Sequence, residues 1–184
     1  MGAYAVSNVT RYNQNLVGVV SMAGFDIPYR LLADQIEMMN GTEIKIISNM
    51  LKFLDFMKFG KDGHLSSIEA YKNSNIKHLI IAGDKDNIVK TQKNFEMFKE
   101  ELQDKENFEF YLVNGRYHRP NISIEASDYA QETNVQLQEL KREFKNQIPE
   151  NVNRRYYDSL DYDLLVQLDE EVMKKIDEFI DSCF

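Results

Sequence analysis

Two aspartates and one histidine carry the chemistry that this sequence offers. Asp84 and Asp86 stand in Gly83-Asp84-Lys85-Asp86-Asn87-Ile88-Val89, directly after the apolar run Leu79 to Ala82. His118 follows Asp86 by 32 residues, in Asn114-Gly115-Arg116-Tyr117-His118-Arg119-Pro120, directly after a second apolar stretch, Phe108 to Val113. A carboxylate beside an imidazole makes an orienter and a base: the carboxylate fixes the ring's tautomer and stabilises the imidazolium formed when the ring takes a proton. Asp86 is the expected orienter and Asp84 the alternative. Against this stands a plainer reading, in which Asp86 caps the segment after it and His118 is an exposed loop histidine. What the pair lacks is a nucleophile.

The elements needed to bring the two loops together are legible. Leu79 to Ala82 stops at Gly83 and is followed by a segment of helical period, which reads as a strand buried on both faces of a parallel sheet. Leu16 to Met22, ending at Ala23-Gly24, reads the same way. Phe108 to Val113 is a third strand, and Glu109 within it suggests a peripheral place. Between the last two strands, Phe95, Phe98 and Leu102 recur at helical spacing. Helix, strand, helical region, strand, helix, strand predicts a parallel α/β sheet with right-handed crossovers. In such sheets ligands bind at the carboxyl ends of the strands, where both loops fall.

The ends and the long connection complete the outline. Met1 to Tyr12 has helical character with small residues Gly2, Ala3 and Ala5, but no Ser, Thr, Asp or Asn ahead of it as a cap. Phe25 to Asn75 is too long for a simple crossover and carries two apolar helical patterns separated by Gly41, the second running through Ile47, Met50, Leu51, Leu54 and Met57. It reads as a helical cap over the strand ends. Four of the eight methionines lie there (Met38, Met39, Met50, Met57). They either pack the cap onto the sheet or line an adaptable apolar site. After His118 one helix runs from Ala126 to Pro149, and a last one begins at Asp169 as N-cap, with Leu168, Val172, Ile176, Phe179 and Ile180 on one face.

Composition narrows the function classes. The chain has 184 residues, 43% hydrophobic, with net charge −8 and pI about 5.0, which gives no electrostatic footprint for nucleic acid. Much of the negative charge sits from Glu150 onward and reads as a solvated helix face. The single cysteine, Cys183, allows no internal disulfide and fits a reducing, cytoplasmic setting. No apolar run approaches the ~18 residues of a membrane span, and no secretory signal precedes the chain's apolar segments. No cofactor is expected: there is no Gly-rich phosphate loop, and no His, Asp or Glu cluster has metal-ligand spacing. His64 and His78 fall away from the strand carboxyl ends. Ser7, in a helix, and Ser21, in a strand, lack the exposed turn that a nucleophile needs.

Taken together these residues resemble the C-terminal part of an α/β-hydrolase. That family carries its nucleophile in a Gly-x-Ser-x-Gly elbow and orders its triad Ser, Asp, His. Met1-Gly2-Ala3-Tyr4-Ala5 is similar to the residues after the serine in a Gly-x-Ser-Met-Gly elbow, residues 17–24 to the next strand, 25–75 to the inserted cap, Gly83 to Val89 to the acid loop, and Arg116-Tyr117-His118 to the histidine loop. Tyr117 stands where the family usually has glycine. The resemblance implies a partial α/β-hydrolase fold, with residues 1–24 and 76–184 as core and 25–75 as cap. It implies a serine hydrolase acting on an ester or similar acyl bond, esterase-, lipase- or aminopeptidase-like, with Asp86 and His118 as acid and base. The serine would fall immediately before Met1, whose backbone N–H would be one oxyanion-hole donor. On this expectation the chain is a truncated form, inactive alone, that self-associates or pairs with a chain supplying the missing half. The alternative is a non-catalytic half-hydrolase used as a binding or regulatory module.

Overall fold

β2, Lys77–Gly83, is the central strand of the sheet and buries every residue after Lys77. It pairs in parallel with β1, Gly18–Met22, on one side and with β3, Phe108–Val113, on the other, giving the order β1-β2-β3. The structure is a computed structural model and describes residues 1–12, 15–40 and 45–184, without the side chains of Met39, Asn40 and Lys45. Gly41, expected to separate the two cap helices, lies outside the described residues. The fold is mixed α/β, a three-stranded parallel sheet flanked by helices, as the strand and helix alternation predicts.

The continuous apolar run of β2 has a physical cause, because helices cover both faces of the sheet. On one face His78, Ile80 and Ala82 meet α4, Ser67–Lys72, and α5, Phe95–Leu102, in a core of Tyr71, Phe95, Phe98, Leu102 and Phe108. Each large apolar side chain buried there contributes roughly 1.5–3 kcal/mol before the entropy cost of ordering it. On the other face the C-terminal part of α9, Glu170–Ser182, lies against β1 and β3. A Cβ on Gly18 would meet Phe179 and the Cys183 thiol, and Lys175 Nζ is 2.7 Å from Glu109 Oε2. Glu109 is therefore tolerated because β3 is an edge strand and its carboxylate has a cation beside it.

The chain divides into two units, Met1–Pro120 with Lys175–Phe184, and Asn121–Lys174. The first opens with α1, Gly2–Val9, whose N-cap Met1 makes no side-chain cap bond. After β1 come α2, Pro28–Asn40, and α3, Lys45–Phe59, then a 3-10 turn over Gly60–His64. The two ends of this insertion are pinned together. Buried Asp26 accepts from Ser66 Oγ at 2.5 Å and Ile68 N at 3.1 Å, and Ser67 donates its N–H to the Asp26 carbonyl and its hydroxyl to the Phe25 carbonyl. Ser66 in turn caps α4 by accepting from Glu69 N.

The second unit is helical. Its α6, Ile124–Glu143, is capped by Ser123. It ends short of the Pro149 boundary expected from sequence, because Lys145 and Asn146 take positive φ (49° and 65°) and turn the chain out. Pro149 instead precedes a further helix, α7, Glu150–Asp158, followed by α8, Tyr162–Leu165. Tyr156 donates to the Thr133 carbonyl at 2.7 Å and Tyr129 accepts from Asp161 N at 2.9 Å, so tyrosines rather than an apolar stripe tie these helices to α6. Asp169 does cap α9, accepting from Val172 N at 3.0 Å.

Candidate functional site

The loop after β2 is built around one carboxylate. Asp86 Oδ1 accepts from Ile88 N at 2.8 Å and Val89 N at 2.9 Å, and Oδ2 lies 3.0 Å from His118 Nδ1. The two oxygens divide the two roles weighed from the sequence: one closes the turn, the other faces the imidazole. The Asp86 side chain is 1% exposed and that of His118 37%. A buried carboxylate with three donors is held in one rotamer and cannot drift from the ring.

Gly83 makes the meeting of the two loops possible. The histidine loop crosses directly over the end of β2, and a Cβ on Gly83 would collide with the carbonyl oxygens of Arg116 and Tyr117. Lys85 N donates to the Arg116 carbonyl at 2.9 Å and Asp84 N to the Val113 carbonyl at 3.1 Å. Thr91 Oγ1 closes the far side by donating to the Gly83 carbonyl at 2.7 Å. Glycine is needed here for close backbone approach, not for a positive φ. The turn at Gly115, with φ 74°, then aims the chain toward His118.

Because a carboxylate only accepts, the proton of a neutral His118 ring sits on Nδ1, leaving the Nε2 lone pair as the base. Asp84 is exposed, so the pairing falls to Asp86. Met1 is 78% exposed, with its carbonyl accepting from Ala5 N at the start of α1. The start of α1 is near the end of β1, since a Cβ on Gly24 would lie 3.5 Å from Ala3 Cβ.

The other candidates have structural surroundings. His64 Nε2 is 3.0 Å from the Lys52 carbonyl, with its ring beside Tyr29 and Phe56. His78 is fully buried, bonded to Ser74 Oγ at 2.7 Å and stacked on Phe108. Ser7 is buried and 2.6 Å from Ser67 Oγ, and Ser21 is buried in β1 near Tyr71, whose hydroxyl burial pushes up to about 12. Among the described residues no group of three or more His, Cys, Asp and Glu could hold a metal ion.

The cap is tied to the acid loop in a way the sequence alone did not reveal. Gln35 of α2 donates to the Ile88 carbonyl, and Lys93 Nζ reaches Asp34 Oδ1 at 2.6 Å and Glu37 Oε2 at 2.8 Å. Those two carboxylates raise the Lys93 pKa, chiefly through the hydrogen bond that Lys93 donates to Asp34. Beside this tie is a cavity of about 460 Å³ whose wall mixes Ile27, Ile36, Ile47 and Met97 with Arg30 and the Lys93 cluster. Of the cap methionines, Met38, Met50 and Met57 are solvent-exposed and do not line it, and the Met39 side chain lies outside the described residues. The opposed charges of α2 and the segment after Asp86 were visible in the sequence, but nothing local indicated that they would meet. Compared with protein-family models, with curated proteins and with solved structures, the chain has no match.

Proposed function

We propose that Asp86 and His118 are the acid and base of a serine hydrolase of the α/β-hydrolase type, acting on an ester or similar acyl bond. The observation that supports it is the 3.0 Å approach of His118 Nδ1 to a buried carboxylate whose other oxygen is held by two backbone N–H groups. Both residues follow adjacent parallel strands, at the strand ends where α/β enzymes place their chemistry. In this reading Nε2 takes the proton of a serine hydroxyl as it attacks the acyl carbon, then returns it to the leaving group. Asp86 holds the tautomer and stabilises the imidazolium between the two transfers. The nucleophile is a serine outside residues 1–184, preceding α1, and Met1 N–H is one donor to the oxyanion.

The test starts with the coding sequence upstream of the Met1 codon. An in-frame Gly-x-Ser is expected there, and the chain extended to include that elbow and the strands before it should be labelled by a fluorophosphonate probe. The 184-residue chain alone should remain unlabelled. In the extended chain His118→Ala should lower labelling and ester hydrolysis by roughly 10³-fold or more. A stop codon in place of Gly-x-Ser, or labelling of the short chain at Ser7 or Ser21, refutes the reading and leaves a half-fold serving as a binding module.

A further inference from the structure

The peptide group between Ile88 and Val89 is held at both ends. Its N–H, that of Val89, donates to Asp86 Oδ1 at 2.9 Å, and its carbonyl, that of Ile88, accepts from Gln35 Nε2 of α2. The peptide before it also gives its N–H, that of Ile88, to Asp86 Oδ1, at 2.8 Å. Further along the same segment, at the end of the 3-10 turn Thr91–Lys93, the Lys93 ammonium bridges Asp34 Oδ1 at 2.6 Å and Glu37 Oε2 at 2.8 Å. Both carboxylates are half-buried and belong to the same helix as Gln35. Thus α2 meets the segment after Asp86 at two points, while Asp86 Oδ2 faces His118 Nδ1 at 3.0 Å.

We propose that the cap helix α2 is a positioning element for the Asp86–His118 pair, with Gln35 and Lys93 acting through Asp86. A trans peptide is planar, with its N–H and C=O pointing in opposite directions. Fixing the Ile88 carbonyl from the cap therefore fixes the direction of the Val89 N–H toward Asp86. A donor on the carbonyl also polarises the peptide and strengthens the bond that its N–H makes. The ionic contact at Lys93 keeps the segment against α2, so that the Gln35 bond is retained. Asn87 and Ile88 are exposed. Released from the cap, the Ile88 carbonyl turns to water, the two N–H groups leave Oδ1, and the carboxylate loses the rotamer that aims Oδ2 at the ring. The consequence for catalysis rests on the hydrolase reading above, whereas the effect on the pair is a property of the 184-residue chain.

Two spectroscopic readouts test this on the full chain, and neither needs a nucleophile. Amide hydrogen exchange at Ile88 and Val89 reports directly on their bonds to Asp86. Gln35→Ala with Lys93→Met should speed it on the order of tenfold, while the amides of Leu79 to Ala82 in β2 exchange as in the native chain. Nitrogen-15 spectra of the histidine rings, at a pH of about 8 where a free imidazole is neutral, should show His118 with its proton on Nδ1 in the native chain. In the double variant the form protonated on Nε2 should appear, with buried His78 unchanged as the control. Lys93→Arg by itself, which keeps the cation, should leave both readouts native. Native exchange at Ile88 and Val89 together with a native His118 tautomer in the double variant would overturn the proposal, because the loop would then hold itself. So would exchange that rises equally in β2, which would make the contact one of general stability. A loss in Lys93→Arg as large as that in the double variant would overturn the ionic part. The hydrolase reading stands or falls separately, on fluorophosphonate labelling of the extended chain.

Discussion

His78 shows how much one side chain's surroundings decide. It sits at the start of β2, fully buried between Tyr71 and Phe108, and burial pushes its pKa down to about 4, with Lys105 adding to the effect. Its ordinary value of 6.5 applies once the chain unfolds. Between those values the unfolded state binds the extra proton, so folding stability is full above about pH 6.5. It falls as the pH drops toward 4, by a total on the order of 3 kcal/mol. Urea unfolding measured from pH 7 to pH 4 should show this slope in the native chain, and His78→Gln should flatten it. An equal slope in both proteins would mean that the ring takes a proton without unfolding.

At the level of elements, the insertion between β1 and α4 depends on one buried carboxylate at its base. Asp26 holds Ser66 Oγ and Ile68 N and is 3.3 Å from Arg30 Nη1. Asp26→Ala leaves a buried hydroxyl and a backbone N–H without their acceptor, which costs roughly 2–4 kcal/mol. Hydrogen exchange should report the loss first at residues 66–69 and in α2, with β2 protected until global unfolding. Uniform loss across the molecule would show that the clamp is not local. Ser66 accepts from Glu69 N at the start of α4, and nothing local in the sequence links it to Asp26, 40 residues earlier, which takes the Ser66 hydroxyl.

For the whole molecule, among the described residues the sheet ends on one side at β1, with β2 as its one strand neighbour. Such an edge, beside exposed Val17, is a template for another strand. We propose that the chain self-associates or takes a partner through this edge. Sedimentation velocity across a concentration series should show a rising mean mass that Phe53→Asp with Met57→Asp does not change, since those residues belong to α3. A single monomeric species throughout would refute it. No helix of the described residues is long and apolar enough to cross a membrane.

Three parallel strands, the helix between the last two, and the two loops carrying Asp86 and His118 were legible because each depends on local patterns: apolar runs that stop at glycine, and helical spacing after them. β3 has the boundaries expected from its apolar stretch, Phe108–Val113. Of the helices after Pro149, α9 was legible from its cap and apolar face, but α7 and α8 were not, and tyrosine hydrogen bonds help to hold them. α3 was legible as a helix from its pattern through Ile47, Met50, Leu51, Leu54 and Met57, but the exposure of Met50, Leu54 and Met57 was not. Spacing defines a face of a helix but not the direction in which that face points. Whether Asp86 or Asp84 would meet the imidazole was also a question of three dimensions. It was decided by the crossing of the histidine loop over Gly83 and by the two backbone N–H groups that turn Asp86 inward.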